Sequence, residues 1–353
     1  MLSLLLLTRS LPAFAASVPD VQAETAVVMY EDGTVLFSKN ADRRSLIAST
    51  TKLMTALVCL ENTSLDDVFT ARERHCRVEG SSMYLEAGKR YTVKELLQGL
   101  LLSSGNDAAL ALAEHTAGSE GAFVQLMNRR AQTLGLRDTH FDNPHGLDAK
   151  SHYSTARDLA RLMFACMDNG AFRSLTVLRA VEVNGITLMN HNRLLTTCPG
   201  CIGGKTGYTR AAGRCLVSCC ERDGMRLVCV TLSDPDDWND HQKLYDWAYR
   251  DFVLRDLSAE LTFDVPVISG SREIVRAVPA PGSRAVLPRD RETELLVELP
   301  RFVFAPVGFG DRAGKITVYR EENGALEFPL VYACEAAPAE PCINLSHWET
   351  VLS

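Results

Sequence analysis

Three short stretches of the chain bring hydroxyls, amines and an amide together at spacings suited to nucleophilic chemistry. Ser49-Thr50-Thr51-Lys52 sets an alcohol and an amine three positions apart, on one face of a helix. An alcohol is a poor nucleophile at neutral pH and needs a base beside it. Lysine serves as that base only when burial or a second cation destabilises its ammonium form. A helix N-terminus here would also turn backbone N–H groups toward developing negative charge. A bare Ser-x-x-Lys arises by chance about once in a chain of this length. The full run Ala48-Ser49-Thr50-Thr51-Lys52-Leu53-Met54-Thr55 is much more specific.

The second stretch is Ser104-Gly105-Asn106, in a break between helical segments. Its hydroxyl could relay a proton to a leaving amine, and its amide could hold substrate backbone. A helix cap and turn would use the same residue types. The third is Lys205-Thr206-Gly207, preceded by Gly203-Gly204 and followed by Tyr208. On an edge strand facing the Ser49 helix, Lys205 would be the second cation. Thr206 would hydrogen-bond a substrate carboxylate, and Gly207 would let substrate backbone come close. The competing reading is a surface turn.

These residues need a scaffold, and the pattern of the chain predicts one. Thr25 to Ser38 reads as a hairpin turning at Asp32-Gly33, and Arg214–Leu232 as another turning at Asp223-Gly224. Ser49 to Glu61 reads as a helix, with Leu53, Met54, Ala56, Leu57 and Leu60 at helical spacing and a Ser-Thr-Thr start suited to its first turn. Val93 to His115 reads as two helical stretches, and Arg157 to Met167 as another. Strands at both ends with helices between them predict an α+β fold, an antiparallel sheet covered by helices. After Leu257, recurring prolines and short apolar runs, with a hairpin at Asn323-Gly324, predict a small all-β domain over residues 259–335 and a tail over 336–353. Residues 24–258 form the main domain on this reading.

The chain has 353 residues, 46% apolar and 23% charged, with a net charge of -7. That balance suits a soluble globular protein, and no basic stripe argues for nucleic acid. Leu2 to Leu7 followed by Ala13-Phe14-Ala15 reads as a signal peptide over residues 1–15; the competing reading is a buried N-terminal strand. Eleven cysteines is an odd number, so disulfides within the chain cannot use them all. Cys198-Pro199-Gly200-Cys201 has the spacing of a redox or zinc half-site, but no second ligand pair accompanies it. Structural thiols are the expectation, and no metal is.

The order Ser-x-x-Lys, Ser-x-Asn, Lys-Thr-Gly resembles the penicillin-interacting serine DD-peptidases, which share a fold with class A β-lactamases. The stretches Phe141–Asp148, His152–Ala160, Asn190–Leu195 and Gly204–Thr209 make it similar, more narrowly, to the low-molecular-mass D-alanyl-D-alanine carboxypeptidases. The resemblance covers about Thr25 to Leu257 and, more weakly, the β domain. It implies that Ser49 forms an acyl-enzyme, Lys52 takes its proton, and Ser104 assists transfer to departing D-alanine. Asn106 would position the substrate, Lys205 and Thr206 would bind its terminal carboxylate, and the N–H groups of Ser49 and Tyr208 would form an oxyanion hole beside Gly207. His145, His152 and His191 then have structural or solvent-facing roles. The implied partners are peptidoglycan stems ending in D-Ala-D-Ala and β-lactams as covalent inhibitors, with no cofactor, in an exported enzyme at the cell wall, on the outer face of the cytoplasmic membrane, or secreted. Peripheral membrane association is a further family trait, though Ile343 to Leu352 is short for an amphipathic anchor. A class A β-lactamase would carry Glu-x-x-Leu-Asn between Ser104 and Lys205, which is absent, and a β-lactam sensor would need a transmembrane segment.

Overall fold

The computed structural model describes residues 2–7, 18–290, 293–320 and 324–339. The chain divides into two compact units, Ala16–Arg250 and Asp251–Ser353 together with Met1–Ala15.

The first unit is built on a five-stranded sheet. Its strands are β1 (Thr25–Tyr30), β2 (Val35–Lys39), β3 (Cys201–Thr209), β4 (Gly213–Arg222) and β5 (Met225–Leu232), ordered β2-β1-β5-β4-β3. Every pairing is antiparallel, and both expected hairpins are present. All six residues of β1 are buried, as are seven of the eight in β5, so these central strands are covered on both faces. The strand carrying Lys205 is an edge strand, as its motif requires.

Among its helices are α1 (Lys52–Asn62), α2 (Val93–Leu101), α3 (Asn106–Ala117), α4 (Glu120–Thr133) and α5 (Ala156–Asp168), with further ones at Gly170–Thr176 and Asp237–Asp251. α1 is more deeply placed than a one-faced apolar pattern predicts: Lys52 to Cys59 are all buried, while Leu60 is only partly so. A helix apolar all round belongs inside a core, and α1 packs against α2, α3, α4 and α5. α2 starts on a reciprocal cap, in which the Glu95 N–H donates to Thr92 Oγ1 and the Thr92 N–H to Glu95 Oε2. Between α2 and α3 the chain breaks at residues 102–105, where Ser104 takes a left-handed φ of 61°.

The second unit has a seven-stranded sheet, in the order 2–7, 294–299, 312–320, 324–332, 274–279, 263–268, 303–304. The last pairing is parallel and the others antiparallel. The strand Phe252–Asp256 pairs with Arg284–Pro288, and one helical turn, Leu257–Glu260, lies between Asp256 and the sheet. Val275, Ala277, Ile316 and Leu330 form part of its own core. Leu2–Leu7 is an edge strand paired with Glu294–Leu299. Ala13-Phe14-Ala15, Asn323 and the segment Ile343 to Leu352 lie outside the described residues. Among the described residues, no helix is long and apolar enough to cross a membrane.

Candidate active site

Ser49 lies in a single 3-10 turn, Ala48–Thr51, that runs straight into α1. The sequence suggests that these hydroxyls cap the helix, but they bond backwards instead. Thr50 Oγ1 donates to the Ile47 carbonyl at 2.6 Å and Thr51 Oγ1 to the Ala48 carbonyl at 2.8 Å. Ala48 takes a φ of 46°, a conformation that costs a non-glycine residue energy and needs support from its surroundings. Part of that support is Gly146, whose backbone passes so close that a methyl group there would stand 2.0 Å from the Ala48 carbonyl oxygen. His152 adds to it from the other side. The Asp142 N–H donates to His152 Nδ1, so Nε2 carries the ring proton and donates to Thr51 Oγ1 at 2.7 Å.

Lys52 is fully enclosed, at 0% exposure. Its Nζ lies 2.8 Å from Ser49 Oγ, 2.7 Å from Asn106 Oδ1 and 2.6 Å from the His145 carbonyl oxygen. Burial, and then the charge of Lys205, holds its pKa well below that of an ordinary lysine, while Asp107 pulls the other way. A neutral amine has two N–H bonds and a lone pair. Asn106 Oδ1 and the His145 carbonyl can only accept, so they take both N–H bonds, and the lone pair is left facing the Ser49 hydroxyl. That is the hydrogen-bond pattern of a base about to take a proton. The Asn106 amide also donates from Nδ2 to the Glu79 carbonyl at 2.6 Å, so both its arms are engaged within the protein.

Lys205 enters from β3, 1% exposed. Its Nζ donates to Ser104 Oγ at 3.0 Å and to the Thr206 carbonyl at 2.7 Å, and burial pushes its pKa down to about 7. The chain pairs each hydroxyl with an amine: Ser49 with Lys52, and Ser104 with Lys205. β3 runs so close to the serine turn that a Cβ on Gly207 would come 2.9 Å from the Ser49 amide nitrogen. Glycine keeps that amide and the neighbouring Tyr208 backbone beside open space.

A cavity of about 470 Å³ opens here, within the usual size of small-molecule sites, lined by Ser49, Ser81, Ser104, His191, Thr206, Gly207, Tyr208, Arg214, Asp237 and Trp238. A smaller one of about 310 Å³ lies in the second unit, lined by residues such as Lys315 and Glu327 that are ion-paired to each other. The sequence motifs do not include Arg214, Asp237 or Trp238. Arg214 sits directly across the ladder from Tyr208. Its Nη2 donates to Asp237 Oδ1 at 2.6 Å, its guanidinium lies 5.7 Å from the centre of the Trp238 ring, and its Nε is buried without a partner. The sequence did hold a signal for it: a hairpin between β3 and β4 turning near Arg210 places residue 214 opposite 208. Asp107 was missed as well. It accepts from the Met83 and Leu85 N–H groups and from Ser82 Oγ, and so fixes the loop that brings Ser81 to the groove.

The three histidines stand as the sequence reading has them, away from the base position. Burial pushes His145 and His152 down to about 4, so both are neutral near pH 7, and burial lowers His191 as well. His145 reaches the chemistry only through its backbone carbonyl.

Residues 12–236 match the family model Peptidase_S11, D-alanyl-D-alanine carboxypeptidase. The chain is 30% identical over 328 residues to the D-alanyl-D-alanine carboxypeptidase DacF of Bacillus subtilis, covering 88% of this chain and 84% of that one. It is 37% identical over 251 residues to DacB2 of Mycobacterium tuberculosis, covering 67% of this chain and 86% of that one. The crystal structure of penicillin-binding protein 5 from Haemophilus influenzae superposes with a TM-score of 0.76 at 29% identity, covering 91% of this chain and 99% of that one. With the amine-flanked serine and the edge strand beside it in view, the chain belongs to the D-alanyl-D-alanine carboxypeptidases, the serine peptidases of the Peptidase_S11 family.

Proposed function

We propose that the carboxypeptidase reaction runs through an acyl-enzyme on Ser49. Lys52 takes the Ser49 proton as Oγ attacks the carbonyl of the penultimate D-alanine. The oxyanion that forms is held by the N–H groups of Ser49 and Tyr208, with Gly207 leaving room for it. Ser104, hydrogen-bonded to Lys205, passes a proton to the departing amine and receives in return the one Lys52 took from Ser49, and free D-alanine leaves. Water then cleaves the ester. The terminal carboxylate rests against the Thr206 hydroxyl, the Lys205 side of the groove and the Arg214 guanidinium. Asn106 acts chiefly by holding Lys52 in place. The contact that carries this reading is the 2.8 Å approach of a fully buried amine to the Ser49 oxygen.

The substrates on this reading are peptidoglycan pentapeptide stems, trimmed outside the cytoplasmic membrane after export of the chain. β-Lactams mimic the terminal dipeptide and acylate the same hydroxyl. The one acid among the groove-lining residues, Asp237, is tied to Arg214, so it is not free to drive water onto the ester. A penicillin adduct should therefore be released slowly, which argues against a β-lactamase. The unit after Asp251 acts as a spacer for the catalytic unit. The test is release of D-alanine from a peptide ending in D-Ala-D-Ala, read alongside the mass of the β-lactam adduct. Undiminished release by Ser49→Ala, or no release by the unaltered protein, defeats the reading.

A further inference from the structure

Ten cysteines are free among the described residues, and three of them meet at one end of β3. Cys198 lies in the turn before the strand, Cys201 is its first residue, and Cys220 faces Cys201 directly across the ladder on β4. Cys198 Sγ and Cys220 Sγ are 3.7 Å apart, in van der Waals contact. Cys201 Sγ donates to the Gly203 carbonyl at 3.7 Å. The group sits just beneath the exposed residues Pro199 and Gly200. That turn is held in place: the Glu221 N–H donates to the Gly200 carbonyl at 2.8 Å, and Arg222 Nε to the Pro199 carbonyl at 2.9 Å. Arg222 also points Nη2 at Cys198 Sγ, 3.6 Å away. None of these side chains lines the Ser49 groove.

A metal is the first alternative for three thiols. Among the described residues, however, no three His, Cys, Asp or Glu side chains are arranged to hold one. Sulfur–sulfur chemistry remains. A disulfide needs the sulfurs at about 2.05 Å, and at 3.7 Å this pair is already in contact.

We propose that Cys198 and Cys220 form a peroxide-responsive dithiol, Cys198 being the attacking thiol and Cys220 the resolving one. The Cys198 thiolate attacks one oxygen of a hydroperoxide. The O–O bond breaks, the other oxygen leaves as hydroxide or alkoxide, and Cys198 becomes a sulfenic acid. The Cys220 sulfur then attacks Cys198 Sγ and displaces its hydroxyl as water, taking up the Cys220 proton. The product is a Cys198–Cys220 disulfide; the two thiols lose two electrons and the peroxide gains them. Polarity favours this order. The hydrogen bond from Cys220 and the charge of Arg222 hold Cys198 down to about 7, whereas burial pushes Cys220 up. A thiolate beside a guanidinium is the reactive form. The bridge would fasten the turn before β3 to β4, on the strand that carries Lys205, Thr206 and Gly207.

The experiment uses the full chain, reduced, desalted and treated with hydrogen peroxide, then alkylated and digested with trypsin without reductant. Cleavage after Arg193, Lys205, Arg214 and Arg222 releases Leu194–Lys205, holding Cys198 and Cys201, and Cys215–Arg222, holding Cys215, Cys219 and Cys220, so the Cys198 and Cys220 variants identify the bridged pair. The expected result is a linked pair of these peptides in the unaltered protein and in Cys201→Ser, and its loss in Cys198→Ser and Cys220→Ser. Covalent labelling of Ser49 by a fluorescent penicillin checks that each variant is folded. Cys198→Ser, buried but in a turn rather than in the β4 ladder, keeps the test decisive if Cys220→Ser does not fold. Absence of the linked pair in the unaltered protein, its persistence in Cys198→Ser, or conversion of Cys198 to sulfinic acid without linkage would overturn the proposal.

Discussion

Lys205 Nζ and Ser104 Oγ are joined by a 3.0 Å hydrogen bond on one wall of the groove, mirroring the Lys52–Ser49 pair on the other. The two amines are electrostatically linked, because the charge of Lys205 is the second cause of the lowered pKa of Lys52.

Lys52→Met keeps the bulk of a buried side chain but removes the lone pair facing Ser49. Loss of a positioned base costs about 10²–10⁴-fold in rate. The rate of β-lactam acylation, followed by mass, should fall in that range while the melting temperature changes little. A near-normal rate would place the base elsewhere.

The pH dependence follows from the two amines. Acylation should rise with pH as Lys52 loses its proton, with an apparent midpoint belonging to the coupled pair. Lys205→Gln removes a neighbouring cation, which raises the Lys52 pKa and should move the rising limb to higher pH. Stability should follow its own sign. The folded pKa of Lys205, about 7, lies below the unfolded value of about 10.4. The unfolded chain therefore binds more protons between these values, and stability rises with pH across that window. The cost is greatest below about 7 and gone above about 10.4. Denaturant titrations should show a shallower rise for Lys205→Gln.

Gly146→Ala should damage both fold and rate. The position has a φ of 92°, and the added methyl would press on the Ala48 carbonyl, which cannot swing aside as a flexible side chain can. The left-handed φ alone costs about 1–3 kcal/mol. Gly118→Ala is the control: its φ is 77° with nothing within 4 Å of a new Cβ. It should lose stability but acylate at the normal rate, whereas Gly146→Ala should lose both.

Arg214→Ala should weaken recognition of a free carboxylate. A hydrogen bond to a charged group contributes about 1.5–3 kcal/mol, or about 10–100-fold. KM for a D-Ala-D-Ala peptide should rise within that range, and the preference over the corresponding C-terminal amide should shrink, with Arg214→Lys between the two. An unchanged acid-to-amide ratio would remove Arg214 from the carboxylate site.

Much of this site was legible because its pieces are local. Ser49 and Lys52 share a helix face whatever surrounds them, and Asp223-Gly224 marks a hairpin from four residues alone. The Ser104 break could be read because Ser, Gly and Asn interrupt two apolar helical patterns. The His145 carbonyl, which accepts a hydrogen bond from Lys52, left no trace in the sequence, since every residue has a carbonyl. Asp237 and Trp238 were missed because no short-range pattern joins them to the motifs, whereas Arg214 could have been read from the hairpin that sets it opposite Tyr208. The cap expected of Ser49, Thr50 and Thr51 did not form, because Thr50 and Thr51 turn their hydroxyls back to the Ile47 and Ala48 carbonyls.

The sequence by itself determined which side chains are candidates for the chemistry, the order in which they occur, and the helix, break and edge strand that present them. Spacing along a helix or strand settles those matters through backbone geometry. Only the tertiary structure decided that α1 is enclosed on every side, that β3 runs within reach of the Ser49 turn, and that Gly146 supports Ala48. Those are contacts between residues far apart in the chain. They also govern the one property the chemistry needs most, since an amine loses its proton near neutral pH only when the packed fold takes water away from it.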